Sequence, residues 1–216
     1  MRTMSSKLEQ PQGRGSFFKT MGTLFAGFMA EKLEETLEGL SPKLLRPPGA
    51  LNELAFLTAC TRCDKCIEAC PQGSLRRAPP STGLAMGTPH LVPRELPCFL
   101  CESLPCISVC EEKALVWPTI TTDSGAKIQG PEAVRIGIAH VKPSRCQAFE
   151  TLNRPAESCR ACIDRCPFPG EAIRLRTEDY DPIPKPEVIE SACTGCGLCE
   201  FGCPAPRPGI IIRERL

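Results

Sequence analysis

Apolar residues are gathered in two different ways along this 216-residue chain. Near the N-terminus, Phe17, Met21, Leu24, Phe28, Leu33, Leu37 and Leu40 recur at helical spacing, which predicts one amphipathic helix. Ser16 is placed to cap it, and Gly39 to end it just past Glu38. Ser41 to Gly49, with Pro42, Pro47 and Pro48, reads as a stiff linker. Residues 1–50 therefore form an extension, and residues 51–216 the body. In the body the apolar pattern changes to short, strand-length runs. Leu91-Val92, Val134 to Val141 and Val188-Ile189 precede groups of cysteines; Ala114 to Val116, Ala172 to Leu175 and Ile210 to Ile212 follow them. The 23 prolines and 17 glycines interrupt regular structure, so long helices and wide sheets are not expected there.

The 16 cysteines fall into four groups of four with none left over. Group one (60–70) is Cys60, Cys63, Cys66 and Cys70, followed by Pro71. Group two (98–110) is Cys98, Cys101, Cys106 and Cys110, with Glu111 in place of the proline. Group three (146–166) is Cys146, Cys159, Cys162 and Cys166, followed by Pro167. Group four (193–203) is Cys193, Cys196, Cys199 and Cys203, followed by Pro204. Groups one and four have the C-x2-C-x2-C-x3-C-P spacing of bacterial ferredoxin [4Fe-4S] sites, in which three cysteines wrap one cluster and the fourth serves its neighbour. Groups two and three lengthen one arm of the same unit. Zinc sites use two separated knuckles, not four thiols within eleven residues. Thiols three residues apart make poor disulfides. The expected cofactors are therefore four [4Fe-4S] clusters, with all sixteen cysteines as iron ligands.

The first cysteines of successive groups stand 38, 48 and 47 residues apart, an internal repeat. Each unit reads as strand, cluster loop, short helical turn, strand. Four such half-domains give an α+β fold of two bacterial-ferredoxin-like two-cluster domains behind the N-terminal helix. Without cysteine, only about 75 hydrophobic residues remain, lean for this length; clusters in the core account for that.

Charge enters at this point. The formal +1, from 26 basic and 25 acidic side chains, gives no footprint for nucleic acid. Sixteen thiolates and four oxidised cluster cores move it to about −7, an acidic carrier. Arg62, Lys65, Arg160 and Arg165 lie among the ligands and offset part of that charge. No apolar run reaches the roughly 18 residues of a membrane span. No dinucleotide loop or P-loop is present. With every quartet complete, no open coordination position is offered for catalysis. His90 and His140, the two histidines, read as structural or surface residues, and Trp117 as packed on a cluster loop.

Several stretches carry a family resemblance: Leu45 to Leu51, Gly87 to His90, Val92 to Glu95, Ile138 to Val141, and Cys193-Thr194-Gly195-Cys196-Gly197-Leu198-Cys199. From about Leu45 onward the chain resembles the ferredoxin-type electron-transfer proteins of the periplasmic nitrate reductase and methylamine utilisation systems. The resemblance implies a non-catalytic subunit that relays single electrons through four clusters to or from a redox enzyme. A molybdenum or tungsten enzyme such as an aldehyde oxidoreductase is the expected partner. The alternative is a membrane-associated quinol dehydrogenase feeding a reductase. Group two also resembles the second group of four-cluster subunits of molybdenum enzymes. That favours nested pairing, two with three and one with four, over the simpler sequential pairing.

Exported members of the family begin with a twin-arginine signal. Gly13-Arg14-Gly15-Ser16-Phe17-Phe18-Lys19 stands in its place with one arginine missing. The expectation is a cytoplasmic protein whose residues 16–40 dock on a partner or on a second copy, in the latter case building a filament. Export to the periplasm through a degenerate signal is the alternative. Any membrane association would run through that helix or a partner.

Overall fold

The structure is a computed structural model and describes residues 44–121, 125–149, 159–178 and 181–215. The N-terminal helix, and the docking and export readings attached to it, lie outside those residues.

Helix α1 (Glu53–Ala59) is begun by Asn52, whose side chain accepts the Ala55 N–H at 3.0 Å. It buries Phe56 completely and ends as Cys60 turns extended. The next helices are single turns: α2 (Lys65–Glu68), α3 (Pro105–Ser108), α4 (Ala161–Asp164) and α5 (Leu198–Phe201). Each holds the third cysteine of its group at its second position, and the fourth cysteine stands two residues past its end. Around them run β1 (Leu75–Arg77), β2 (Pro89–Leu91), β3 (Thr119–Thr121), β4 (Lys127–Gln129), β5 (Ile138–Val141), β6 (Ile173–Glu178), β7 (Asp181–Val188) and β8 (Ile210–Arg213). They form antiparallel pairs β1–β2, β3–β4, β5–β8 and β6–β7.

Two lobes follow one plan. In the second, β5 enters before group three and pairs with β8 after group four, Ile138 opposite Arg213 and Val141 opposite Ile210; β6–β7 spans the interval between those groups. In the first, β1–β2 fills the corresponding interval. The outer ladder there is reduced to Gly49–Leu51 against Ala114–Val116: Leu51 N–H donates to Ala114 O, Val116 N–H to Gly49 O, and Ala50 bridges Leu115. The run at Ala114 to Val116 is thus a partial strand. The run from Val134 shortens to β5, because Val134 closes a 3-10 turn at Pro131–Ala133 and is fully buried. Leu45 to Ala50 packs into the first lobe, with Leu91 N–H donating to Leu45 O at 2.8 Å.

Each lobe has its own apolar cluster, one built on Phe56, Leu91, Leu104, Ile107 and Val134, the other on Ala139, Ile163, Ile173, Ile210 and Ile212. Leu45 and Phe168 pack against both. Cysteines are members of both cores, so the apolar residues surround the thiols rather than each other. Trp117, expected on a cluster loop, is 43% exposed instead, because it follows the short outer ladder where little chain remains to cover it. Among the described residues no helix is long and apolar enough to cross a membrane.

Candidate metal centre

Four cavities contain all sixteen cysteines, four in each and none shared. The group-one cavity is lined by Cys60, Cys63 and Cys66 together with Cys110 of group two. The group-two cavity is lined by Cys98, Cys101 and Cys106 together with Cys70 of group one. In the second lobe, Cys146, Cys159 and Cys162 share a cavity with Cys203 of group four. Cys193, Cys196 and Cys199 share theirs with Cys166 of group three. Pairing is therefore sequential, one with two and three with four, which corrects the nested expectation. The physical reason lies in the short helices: α2 packs on α3 and α4 on α5, so the cysteine just past each helix points into the cavity of its packing partner.

The cysteine loops repeat one backbone. The residue before the second cysteine has positive φ in three groups: Arg62 (59°), Leu100 (50°) and Gly195 (70°). So does the residue before the single-turn helix: Asp64 (63°), Leu104 (38°) and Gly197 (89°). Left-handed conformation at a non-glycine residue costs about 1 kcal/mol or more, so something over-determines it here. Arg62 is held by its Nε–H to Met86 O at 2.9 Å and its Nη2–H to Leu84 O at 3.0 Å. Group three departs, with Arg160 at φ −111° ahead of α4. Its first two cysteines stand far apart in sequence, on either side of residues not described.

All sixteen cysteines are free thiols. Burial, joined by the like charge of neighbouring thiolates, pushes Cys66 and Cys162 up to about 12. Burial likewise takes Cys98 to about 12 and Cys106 to about 11, and raises Cys146, Cys166, Cys196 and Cys199. A thiol raised in this way stays protonated unless a cation joins it, whereas metal coordination requires thiolates. Among the described residues no three His, Cys, Asp or Glu side chains converge closely enough for one metal ion. The thiols stand around a space, which suits a polynuclear group held from four sides. Backbone donors already point at the sulfurs: Ser74 N–H reaches Cys70 Sγ at 3.4 Å, and Gly209 N–H reaches Cys203 Sγ at 3.3 Å. This donor set fits an iron–sulfur cluster.

The cavities also have an order. Groups one and two are joined by exchanged cysteines, as are groups three and four. The lobes meet where Cys98 N–H donates to Cys196 O at 2.8 Å, a bond between a group-two and a group-four cysteine. Ile136 N–H donates to Thr194 O at the same seam. The contacts thus run one, two, four, three. Arg94, from the first lobe, fans onto the carbonyls of Glu200 (2.9 Å), Phe201 (3.4 Å), Cys203 (3.0 Å) and Ala205 (3.2 Å). Sequence reading missed this latch, although Arg94 lies within the quoted Val92 to Glu95 stretch. Neither histidine lines any of these four cavities: His90 is buried with Nδ1 3.0 Å from Arg76 O, and His140 is half-buried in β5. Arg62 and Lys65 do line the group-one cavity. Glu111, which replaces the proline, binds Lys65 at 2.7 Å across the pair.

No family model matches the chain. It is 37% identical to the ferredoxin-type protein NapG of Escherichia coli strain K12, over 96% of its own length and 88% of the relative's. It is 35% identical to the methylamine utilization ferredoxin-type protein MauM of Paracoccus denitrificans, over 88% and 80%. With the ferredoxin-type protein NapF of Escherichia coli strain K12 it shares 32% identity, over 74% and 80%.

Proposed function

The chain belongs to the ferredoxin-type family of NapG and MauM and is an iron–sulfur electron-transfer subunit; on that premise we propose that it carries four [4Fe-4S] clusters in two ferredoxin-like domains. One observation carries this reading: four cavities, each bounded by three cysteines of one group and the fourth of its partner. When bound, each cluster supplies one-electron redox chemistry. The chain's own residues do the rest. The cysteines hold each group in place, and Leu75, Leu91 and Leu104 wall the group-two cavity as Ala139, Ile173 and Ile212 wall the group-four cavity. The Cys98–Cys196 backbone bond keeps the group-two and group-four sites adjacent, so the two lobes form one conductor rather than two carriers.

The chain catalyses nothing itself and serves a redox enzyme that has its own cofactor. We take that partner to be a cytoplasmic molybdenum or tungsten enzyme, an aldehyde oxidoreductase being the example the sequence resemblance suggests. Co-purification tests this: a molybdenum or tungsten protein supports it, whereas a multispanning membrane protein favours a quinol dehydrogenase role. The cluster reading is tested by iron and acid-labile sulfide in anaerobically purified protein. About 16 of each per chain are expected; about eight, or zinc in place of iron, would remove it.

A further inference from the structure

Arg135 and Arg215 lie just beyond the same end of the β5–β8 ladder, Arg135 ahead of β5 and Arg215 after β8. Both are half-buried, and both grip the segment that leads into group four. Arg215 Nη2–H donates to Glu190 O at 2.6 Å and to Cys193 O at 2.8 Å. Arg135 Nη2–H donates to Ser191 O at 3.1 Å, and its Nη1–H to Glu132 O (2.6 Å) and Val134 O (2.7 Å). Every acceptor is a neutral carbonyl. Among the described residues neither guanidinium has a carboxylate partner, and Arg215 Nε is buried with no acceptor. Two like charges are thus gathered on one loop with nothing negative beside them, which is unfavourable away from water unless a counter-charge joins them.

We propose that Arg215, aided by Arg135, supplies the counter-charge of the group-four site and raises its reduction potential. The inference rests on the four-cluster reading. Four thiolates around an oxidised core of about +2 leave about −2 at the site, and reduction makes it about −3. A fixed cation beside the site therefore stabilises the reduced form more than the oxidised one. The residues lining the group-four cavity are uncharged, so its own wall does not do this. The charge arrives through Cys193, which lines the cavity and has its carbonyl bound by Arg215. Half-burial leaves it less screened than a surface cation. Across the Cys98–Cys196 contact, the group-two cavity is lined by uncharged residues as well. Among the described residues the cysteine carbonyls bound by side chains are those of Cys60, Cys193 and Cys203, and none of these cysteines lines the group-two cavity. The counter-charge thus acts on one side of the seam and biases an electron toward the second lobe.

The test is an EPR-monitored redox titration of anaerobically purified full-length protein, after iron and sulfide have been counted. Cys199→Ser marks the group-four signal, and Cys106→Ser the group-two signal. Arg215→Met is expected to lower the group-four midpoint, shifting that site's reduction equilibrium about tenfold, or about 59 mV for one electron. Arg135→Met should lower the same midpoint by less, and neither should move the group-two signal. Arg215→Lys keeps the charge while losing the paired carbonyl bonds, and should stay near wild type. Arg76→Met, at a surface cation paired with Glu95, should leave all midpoints unchanged. If Arg215→Met does not load its full iron, the inference stands or falls on Arg135→Met. A group-four midpoint unchanged in both methionine variants, or lowered as far by lysine as by methionine at Arg215, would overturn it. A wild-type iron count far from about sixteen would instead overturn the cluster reading beneath it.

Discussion

Groups one and four share their cysteine spacing, their trailing proline and a threonine after the first cysteine, yet they sit in opposite environments. In group one, Cys63 is the exposed member of the sixteen, and its loop carries Arg62, Asp64 and Lys65 toward the surface. In group four, Cys193, Cys196 and Cys199 are all buried, and the corresponding positions are Gly195 and Gly197. The positive φ is common to both loops, so conformation alone does not demand glycine. Packing does. A Cβ on Gly195 would lie 2.2 Å from Gly137 N, and one on Gly197 would lie 2.4 Å from Pro93 Cβ. One cysteine loop serves as an outer face and the other as the joint between lobes, and the residues between the cysteines record which is which.

Substitutions that press on this difference should have unequal effects. The largest is expected for Gly195→Ala, which drives a methyl into backbone and adds left-handed strain. A loss of about 3 kcal/mol is expected in anaerobic denaturant unfolding. At the equivalent outer position, Arg62→Ala removes three exposed hydrogen bonds and should cost less than about 1 kcal/mol. Equal costs would mean that the seam does not distinguish the loops.

Arg94→Ala comes next, at about 2 kcal/mol, because the four carbonyls it covers lose a charged donor. The loss should also be local. Cys203 completes the group-three cavity, so that site should shift its EPR signature while the two first-lobe sites keep theirs. A uniform change in all four would reduce Arg94 to general stability.

The outer position of group one predicts the order of iron loss. Under air with a chelator, about four of roughly sixteen irons should leave in a first phase, and Cys63→Ser should abolish that phase as a separate event. A single phase, or first loss from the second lobe, would contradict it. The smallest effect belongs to Glu111→Gln. The carboxylate is held below its ordinary range, chiefly by the Lys65 hydrogen bond, and Lys65 is raised in return. The pair is fully exposed and open to solvent screening. Its contribution is present above the ordinary carboxylate range and fades as pH falls through the lowered Glu111 value. Thermal melts at neutral pH should not separate Glu111→Gln from wild type.

The grouping of the cysteines was legible in their spacing. All sixteen cysteines line cavities as complete quartets, and the single-turn helices stand where the short turns were expected. The run at Ile210 to Ile212 falls within β8, and that at Ala172 to Leu175 enters β6 from Ile173, with Ala172 in the preceding turn. Pairing was not legible, because every quartet looks the same whichever neighbour receives its fourth cysteine. It is decided by contacts between distant segments: β5 against β8, and Gly49–Leu51 against Ala114–Val116. The β3–β4 hairpin and β1 also went unpredicted, since Thr119 to Gln129 and Leu75 to Arg77 alternate too briefly to signal a strand. Glu111 looked like a defect in the motif, but it reaches Lys65 across the pair.

Neighbouring groups exchange their fourth cysteines. EPR-monitored redox titration of Cys66→Ser, Cys106→Ser and Cys110→Ser proteins beside wild type tests that exchange. Cys110→Ser is predicted to alter the same cluster as Cys66→Ser, leaving the one altered by Cys106→Ser intact. If Cys110→Ser and Cys106→Ser alter one and the same cluster, each group closes on itself and the account is wrong.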